Sequence, residues 1–272
     1  MADQTGFKAK YVITAKYLTK PSKRRSGELM SPGVKFLVAH DTGNPGSTAS
    51  ANVKYYESSR NAAEQSAHLF VDDRELIECI PALQGAPEKA WHVRRTLLTD
   101  NQLYGHNAND AALGVEYCYG GRIDPDEAFR KYVWVLAYAC HKYDLDPSQA
   151  VIGHAFLDPT RRSDPVTGLL HSRRTYEQLL RSVVDEYNEC RQGASPSFNF
   201  VSGASAVQAA VKLNLRKALP STRAEIQQTV AAGTRLAYVG WVTDGESIQG
   251  SAKWYRDANQ NYFWSGGVKP LA

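Results

Sequence analysis

Two histidines, an aspartate and a glutamate are the side chains of this chain whose types and settings could do chemistry together. His40 closes the apolar run KFLVAH and is followed by DTGNPG. His154 closes the shorter run VIGH, and Asp164 comes ten residues later in GHAFLDPTRRSDP. Glu116 sits in LGVEYCYG. Two imidazoles and a carboxylate suit a catalytic zinc, which takes three protein ligands and keeps a fourth position for water. A spare carboxylate beside that water can accept a proton. The chemistry this set suggests is metal-assisted hydrolysis.

Taken singly, each residue has a plainer reading. A histidine at a strand end can simply hydrogen-bond, and an aspartate in a loop can cap a helix or a turn. Glu116 shares a strand face with Cys118 by the period of two, so it could lie on an exposed face. Asp158 competes with Asp164 as the carboxylate and reads as a turn residue. Pro165 favours an extended backbone at Asp164, which would help to fix its carboxylate.

These side chains need strands and loops to bring them together. KFLVAH reads as a buried strand and VIGH as a short one. YVITAKY suggests a short strand in an otherwise irregular lead-in. Ser47-Thr48-Ala49 offers an N-cap for a helix over ANVKYYESSR. AHLFVD and ELIECI read as a hairpin around Asp72-Asp73-Arg74. DPDEAFRKYVWVLAYACHKYDL has acids in its first turn and helical apolar spacing, and HSRRTYEQLLRSVVDEYNEC reads as a second helix. Strands interleaved with helices predict an α/β fold, a mixed central sheet flanked by helices. The composition turns small and polar over residues 191–205, which reads as a linker. Short strand-like runs after it predict a small all-β barrel. The expected division is a domain over 1–190, a linker over 191–205 and a second domain over 206–272.

Composition narrows the classes. The chain has 272 residues, 43% hydrophobic and 22% charged, the balance of an ordinary globular protein with a substantial core. A net charge of +4 favours an anionic partner such as a bacterial envelope. Lysine and arginine are not clustered as a nucleic-acid protein requires; the one tight run, Lys23-Arg24-Arg25, reads as a solvated loop. No run has transmembrane length, so no membrane insertion is expected. The N-terminal segment lacks the apolar core of a signal peptide, which predicts synthesis in the cytoplasm and delivery by another system. Cys79, Cys118, Cys140 and Cys190 show no metal-ligand spacing and read as buried free thiols.

KFLVAHDTG, SAHLFVDD, AWH, LGVEYCYG and GHAFLDPTRRSDP together resemble, in order and spacing, the zinc-dependent N-acetylmuramoyl-L-alanine amidases, a family that includes peptidoglycan recognition proteins. The resemblance covers about residues 30–190. The tail, with AAGTRLAYVGWV and KWYRDANQNYFWSGGV, looks like a bacterial SH3-like domain of the kind that binds cell walls. The resemblance implies Zn2+ held by His40, His154 and Asp164, with Glu116 as general base and acid. Asp164 stands where some members carry Cys. Arg162 stands where the family often has Lys; it could hold an oxyanion but cannot give up a proton at neutral pH. Ala67 replaces a Tyr to which some phage members assign catalysis, so that variant of the mechanism is absent. His68, Trp91 and His92 are implied as cleft-lining or ligand-supporting residues, each with a plain core reading beside it. The implied activity is hydrolysis of peptidoglycan at the muramoyl–alanine amide by a monomer acting on the bacterial cell wall, as an endolysin or an antibacterial enzyme. Two rivals stand beside it: a peptidoglycan-binding recognition protein without catalysis, and a glycosidase using paired carboxylates.

Overall fold

The computed structural model describes residues 6–191, 198–222 and 224–271. The chain divides into two compact units, 1–194 and 195–272.

The first unit is built on a six-stranded mixed sheet. Its strands are β1 (Ile13–Ala15), β2 (Phe36–Asp41), β3 (Leu69–Val71), β4 (Leu76–Glu78), β5 (Ala112–Tyr117) and β6 (Val151–Gly153). The order across the sheet is β1-β4-β3-β5-β2-β6. Only the β3–β4 hairpin pairs antiparallel; the other four pairings are parallel. Every residue of β2 is buried, as befits a parallel strand covered on both faces. Its alternation divides two cores. Leu37 and Ala39 join the large one, and Phe36 and Val38 join a smaller one with Val93, Ala112, Ile152 and Leu157. His40 continues the face of Phe36 and Val38, at the strand's C-terminal end.

One long helix contributes heavily to the large core. In α4 (Pro125–Lys142), Asp124 caps the N-terminus by accepting from the amides of Asp126 and Glu127. Pro125 suits the first helical position, and His141 and Lys142 suit the last turn. The helix buries Phe129, Tyr132, Trp134 and Leu136. The Tyr132 hydroxyl donates to the His40 carbonyl at 2.9 Å, tying the helix to the end of β2. In α1 (Ala49–Ser58), Thr48 is the N-cap. α2 (Thr99–Tyr104) and α3 (Ala108–Ala111) precede β5.

Three expectations need correction here. His154 does not end a strand: β6 stops at Gly153, and His154 begins the short helix α5 (His154–Leu157). The helix expected from His171 is broken. α6 (Val166–His171) ends at Ser172, Arg173 takes a positive φ, and α7 (Tyr176–Arg191) starts afresh. The basic run at 23–25 is solvated only at Lys23, since Arg24 and Arg25 are both buried. Arg25 forms a two-pronged pair with Glu88 at 2.7 and 2.8 Å and donates to the Leu18 carbonyl. All four cysteines are buried and unpaired. No described helix is long and apolar enough to cross a membrane.

The second unit is a seven-stranded antiparallel sheet, ordered β13-β7-β10-β11-β12-β8-β9. Its strands are β7 (Val201–Ala209), β8 (Leu213–Lys217), β9 (Ile226–Val230), β10 (Arg235–Val242), β11 (Trp254–Arg256), β12 (Asn261–Trp264) and β13 (Val268–Pro270). Residues 192–197 of the expected linker lie outside the described residues, and its last five, 201–205, are strand instead. β7 buries only Val207 and Ala209, so its Ser, Gly and Ala residues carry no apolar alternation to announce it. Pairing with β10 and β13 holds it in place.

Candidate active site

The C-terminal ends of β2, β5 and β6 open into a cavity of about 390 Å³ lined by His40, Glu116, His154, Arg162 and Asp164 among others. Clefts at the carboxyl ends of parallel strands are the usual ligand position in open α/β sheets. Parallel pairing sets His40 directly beside Glu116. His154 enters from the first turn of α5, next to β2. Asp164 is brought back by its loop, where its carbonyl accepts from the Ala155 amide at 2.7 Å. Asp41 braces the other side by accepting from the amides of Gly43 and Gly168.

Asp164 Oδ2 lies 2.9 Å from His40 Nδ1 and 3.1 Å from His154 Nδ1. The ligand atoms of the three residues fall within 4.8 Å of one another. Two donors each about 2.0–2.1 Å from a tetrahedral zinc would sit roughly 3.3 Å apart, so the spacing fits an ion among them.

The protonation states point the same way. Burial drives His40 down to about 4 against the pull of Asp164, so the ring is neutral near pH 7. Burial alone would raise Asp164, but the neighbouring His154 and His40 rings hold it well below the usual carboxylate range. His40 Nε2 lies 3.0 Å from His92 Nδ1, while His92 Nε2 lies 3.1 Å from the Ala112 carbonyl. A carbonyl only accepts, so His92 donates there from Nε2. Burial, then the neighbouring His40 and His68 rings, keep His92 well below its ordinary value and hence neutral. Its Nδ1 therefore accepts, and His40 donates from Nε2. That leaves a lone pair on His40 Nδ1 facing a carboxylate oxygen at 2.9 Å, an arrangement a cation between them would relieve. Imidazole and carboxylate donors suit zinc among the common divalent ions.

Glu116 is half-buried in this wall, with its Oε2 shielded from solvent. Burial pushes its carboxyl well above the usual range, the Asp164 and Asp41 charges add to the shift, and Arg162 opposes it. Its Oε2 has no hydrogen-bond partner among the described residues. A buried carboxyl left poised in this way is the ordinary device for proton transfer at neutral pH. Arg162 lines the same cavity and acts electrostatically on both His40 and Glu116. Asp158 stands apart, with Arg161 at 3.7 Å.

The three supporting residues separate. His92 lines the cavity and touches His40. His68 has both nitrogens tied to backbone: Nε2 donates to the Glu88 carbonyl at 3.0 Å, and Nδ1 accepts from the Gly114 amide at 2.9 Å. Trp91 braces Ser66 through two hydrogen bonds and carries Arg95 over its ring at 4.4 Å, outside the cavity lining. Sequence reasoning missed Thr42, Arg24 and Tyr56, all of which line the cavity. Thr42 Oγ1 is buried without a partner among the described residues. Arg24 stacks on Tyr56 at 4.2 Å and bonds to Ser59 and the Gln65 carbonyl. The hydroxyl two residues beyond His40 was a readable signal, but nothing local marked Arg24.

A family model described as N-acetylmuramoyl-L-alanine amidase matches residues 30–167, just over half of the 272 residues. The curated protein N-acetylmuramoyl-L-alanine amidase BlyA of Bacillus subtilis (strain 168) is 31% identical over 170 residues. That match covers 60% of this chain and 44% of BlyA, so the chain spans less than half the length of that relative. Among solved structures, the catalytic domain of XlyA superposes with a TM-score of 0.50 at 19% identity, over 64% of this chain and 99% of that one. Staphylococcus aureus hydrolase AmiA, solved with its ligand, gives 0.51 at 20% identity, over 65% and 83%. Both likenesses are of fold.

Proposed function

The chain belongs to the N-acetylmuramoyl-L-alanine amidase family, and from that premise we propose that it hydrolyses the amide joining the lactyl group of N-acetylmuramic acid to the L-alanine of the stem peptide. The observation that carries the proposal is the gathering of His40, His154 and Asp164 in one cluster beside Glu116, whose buried Oε2 has no hydrogen-bond partner among the described residues.

His40, His154 and Asp164 would hold a zinc ion through two Nδ1 atoms and Oδ2. An ion held there would supply Lewis acidity, making water more acidic and a carbonyl more electrophilic. Glu116 takes the proton from water as it attacks the scissile carbon, and its raised affinity for protons keeps that proton available. When the tetrahedral carbon collapses, the carbon–nitrogen bond breaks and Glu116 returns the proton to the departing amine of L-alanine. Arg162 stabilises negative charge on the carbonyl oxygen through its fixed cation. All proton movement falls to Glu116, because a guanidinium stays protonated.

We assign residues 1–190 to catalysis and the antiparallel unit, 195–272, to the cell wall in the manner of SH3-like domains. Holding the enzyme on a polymeric substrate raises the local concentration of cleavable bonds. The setting that fits best is an endolysin or another antibacterial lytic enzyme.

Mass analysis of peptidoglycan digested by the full chain tests the bond. The expected products are stem peptides with free L-alanine amino termini and glycan without new reducing ends. New reducing ends would speak for a glycosidase. Binding to walls with no soluble product would speak for a recognition protein.

A further inference from the structure

The two candidate histidine ligands are supported unequally. His154 Nε2 is buried with no hydrogen-bond partner among the described residues. His40 Nε2 is tied through His92 to the Ala112 carbonyl, at 3.0 and 3.1 Å. The elements around His92 are shaped to keep that tie. Asn109 Oδ1 accepts from the amides of His92 and Val93, both at 2.9 Å, and its Nδ2 donates to the Val93 carbonyl at 2.7 Å. Asn109 is buried, so this three-point clamp fixes the backbone that carries the ring. On the sheet beneath, Gly114 leaves room for the imidazole: a Cβ there would come within 2.8 Å of His92 Cγ and Nδ1. The His68 ring stands nearly perpendicular at 5.7 Å and closes the third side. Ring, backbone and floor are all specified, yet His92 contributes no ligand atom to the three-residue cluster.

We infer that His92 is a positioning residue: it holds His40 in the Nε2–H tautomer and so commits the Nδ1 lone pair to the metal position. The inference rests on the zinc reading of His40, His154 and Asp164. Its physical content is pre-organisation. A neutral imidazole free to choose could place its proton on Nδ1 and donate to Asp164, which would have to be undone before a cation could bind. The Ala112 carbonyl forbids that choice at one remove, because it fixes the tautomer of His92 and His92 fixes that of His40. Asn109 and Gly114 act on the site through His92.

The test has two arms on the full-length chain. Long-range proton–nitrogen NMR on the metal-free wild type at neutral pH reads the His40 tautomer directly and needs no substitution. The Nε2–H form is expected, and the Nδ1–H form would overturn the inference. Competition against a chromophoric chelator then reads zinc affinity. His92→Phe keeps a ring but removes the acceptor and should weaken zinc binding by about 10–100-fold, the usual cost of losing such support. His92→Gln keeps one donor and one acceptor on a planar group and should recover most of that loss. Gly114→Ala leaves the imidazole present but pushes it from its seat, and should weaken binding in the same direction. Unchanged affinity in folded His92→Phe overturns the inference, while a wild type that takes up no zinc defeats the metal reading beneath it.

Discussion

Two buried polar regions of the first unit lie close together and are built on opposite rules. Around Arg24 and Arg25, donors find acceptors: Arg25 is matched to Glu88 and the Leu18 carbonyl, and Arg24 to Ser59 and the Gln65 carbonyl. In the cleft, Thr42 Oγ1, Glu116 Oε2 and His154 Nε2 are buried without partners. They are three of the five such side-chain atoms among the described residues, so the deficit is concentrated there. An unpaired buried polar group costs stability, and a fold keeps one where chemistry or a ligand needs it. The Arg25 pair therefore serves the fold and the unpaired cleft atoms give up stability for function, with Arg24 between them, matched like the first and lining the second.

The sharpest way to break that contrast is Glu116→Gln. Turnover should fall by about 10²–10⁴-fold, the range for losing a general base, while the metal-free protein melts no lower than wild type. A parallel loss of stability would place Glu116 with the arginines. Arg25→Ala should do the reverse. Stripping one partner from a buried pair costs about 3–5 kcal/mol, to be read by denaturant unfolding, with turnover per folded molecule unaffected. Arg162→Ala should lower kcat by about 10²–10³-fold with little change in melting, and Arg162→Lys should restore much of the rate.

The smallest effect is the pH dependence of the Glu116 cost. Its folded-state affinity for protons is raised, so the buried carboxyl costs nothing below its unfolded pKa of about 4.3. The cost then grows as pH rises from there toward the folded value. Melting of metal-free Glu116→Gln and wild type should therefore coincide near the bottom of that window and separate in favour of the variant above it.

What the sequence made legible follows the same division. His40, His154 and Asp164 sit in short motifs at element ends, and the structure gathers them at one point. The alternating strands and the Asp124-capped helix could be read because burial on a sheet or a helix face leaves a period. The arginine clamp could not, because its partners lie 35, 41 and 63 residues away and a basic run looks solvated until they arrive. His68 and His92 looked alike in the sequence; a carbonyl and an amide absorb one, and a neighbouring ring takes up the other. β7 escaped because a strand of small residues with only two buried positions has no period to show. The break before α7 rests on a positive φ at Arg173, a residue type that gives no warning of it.

The proposed chemistry requires a divalent ion held by two imidazoles and a carboxylate. Zinc titration of the metal-stripped full-length chain, followed by cleavage of purified cell walls at each step, tests it most directly. The account predicts activity that rises in proportion to zinc and saturates at one ion per chain, with no such rise in His40→Ala or Asp164→Ala. Full turnover by the stripped protein, or saturation unaltered in those variants, would contradict it.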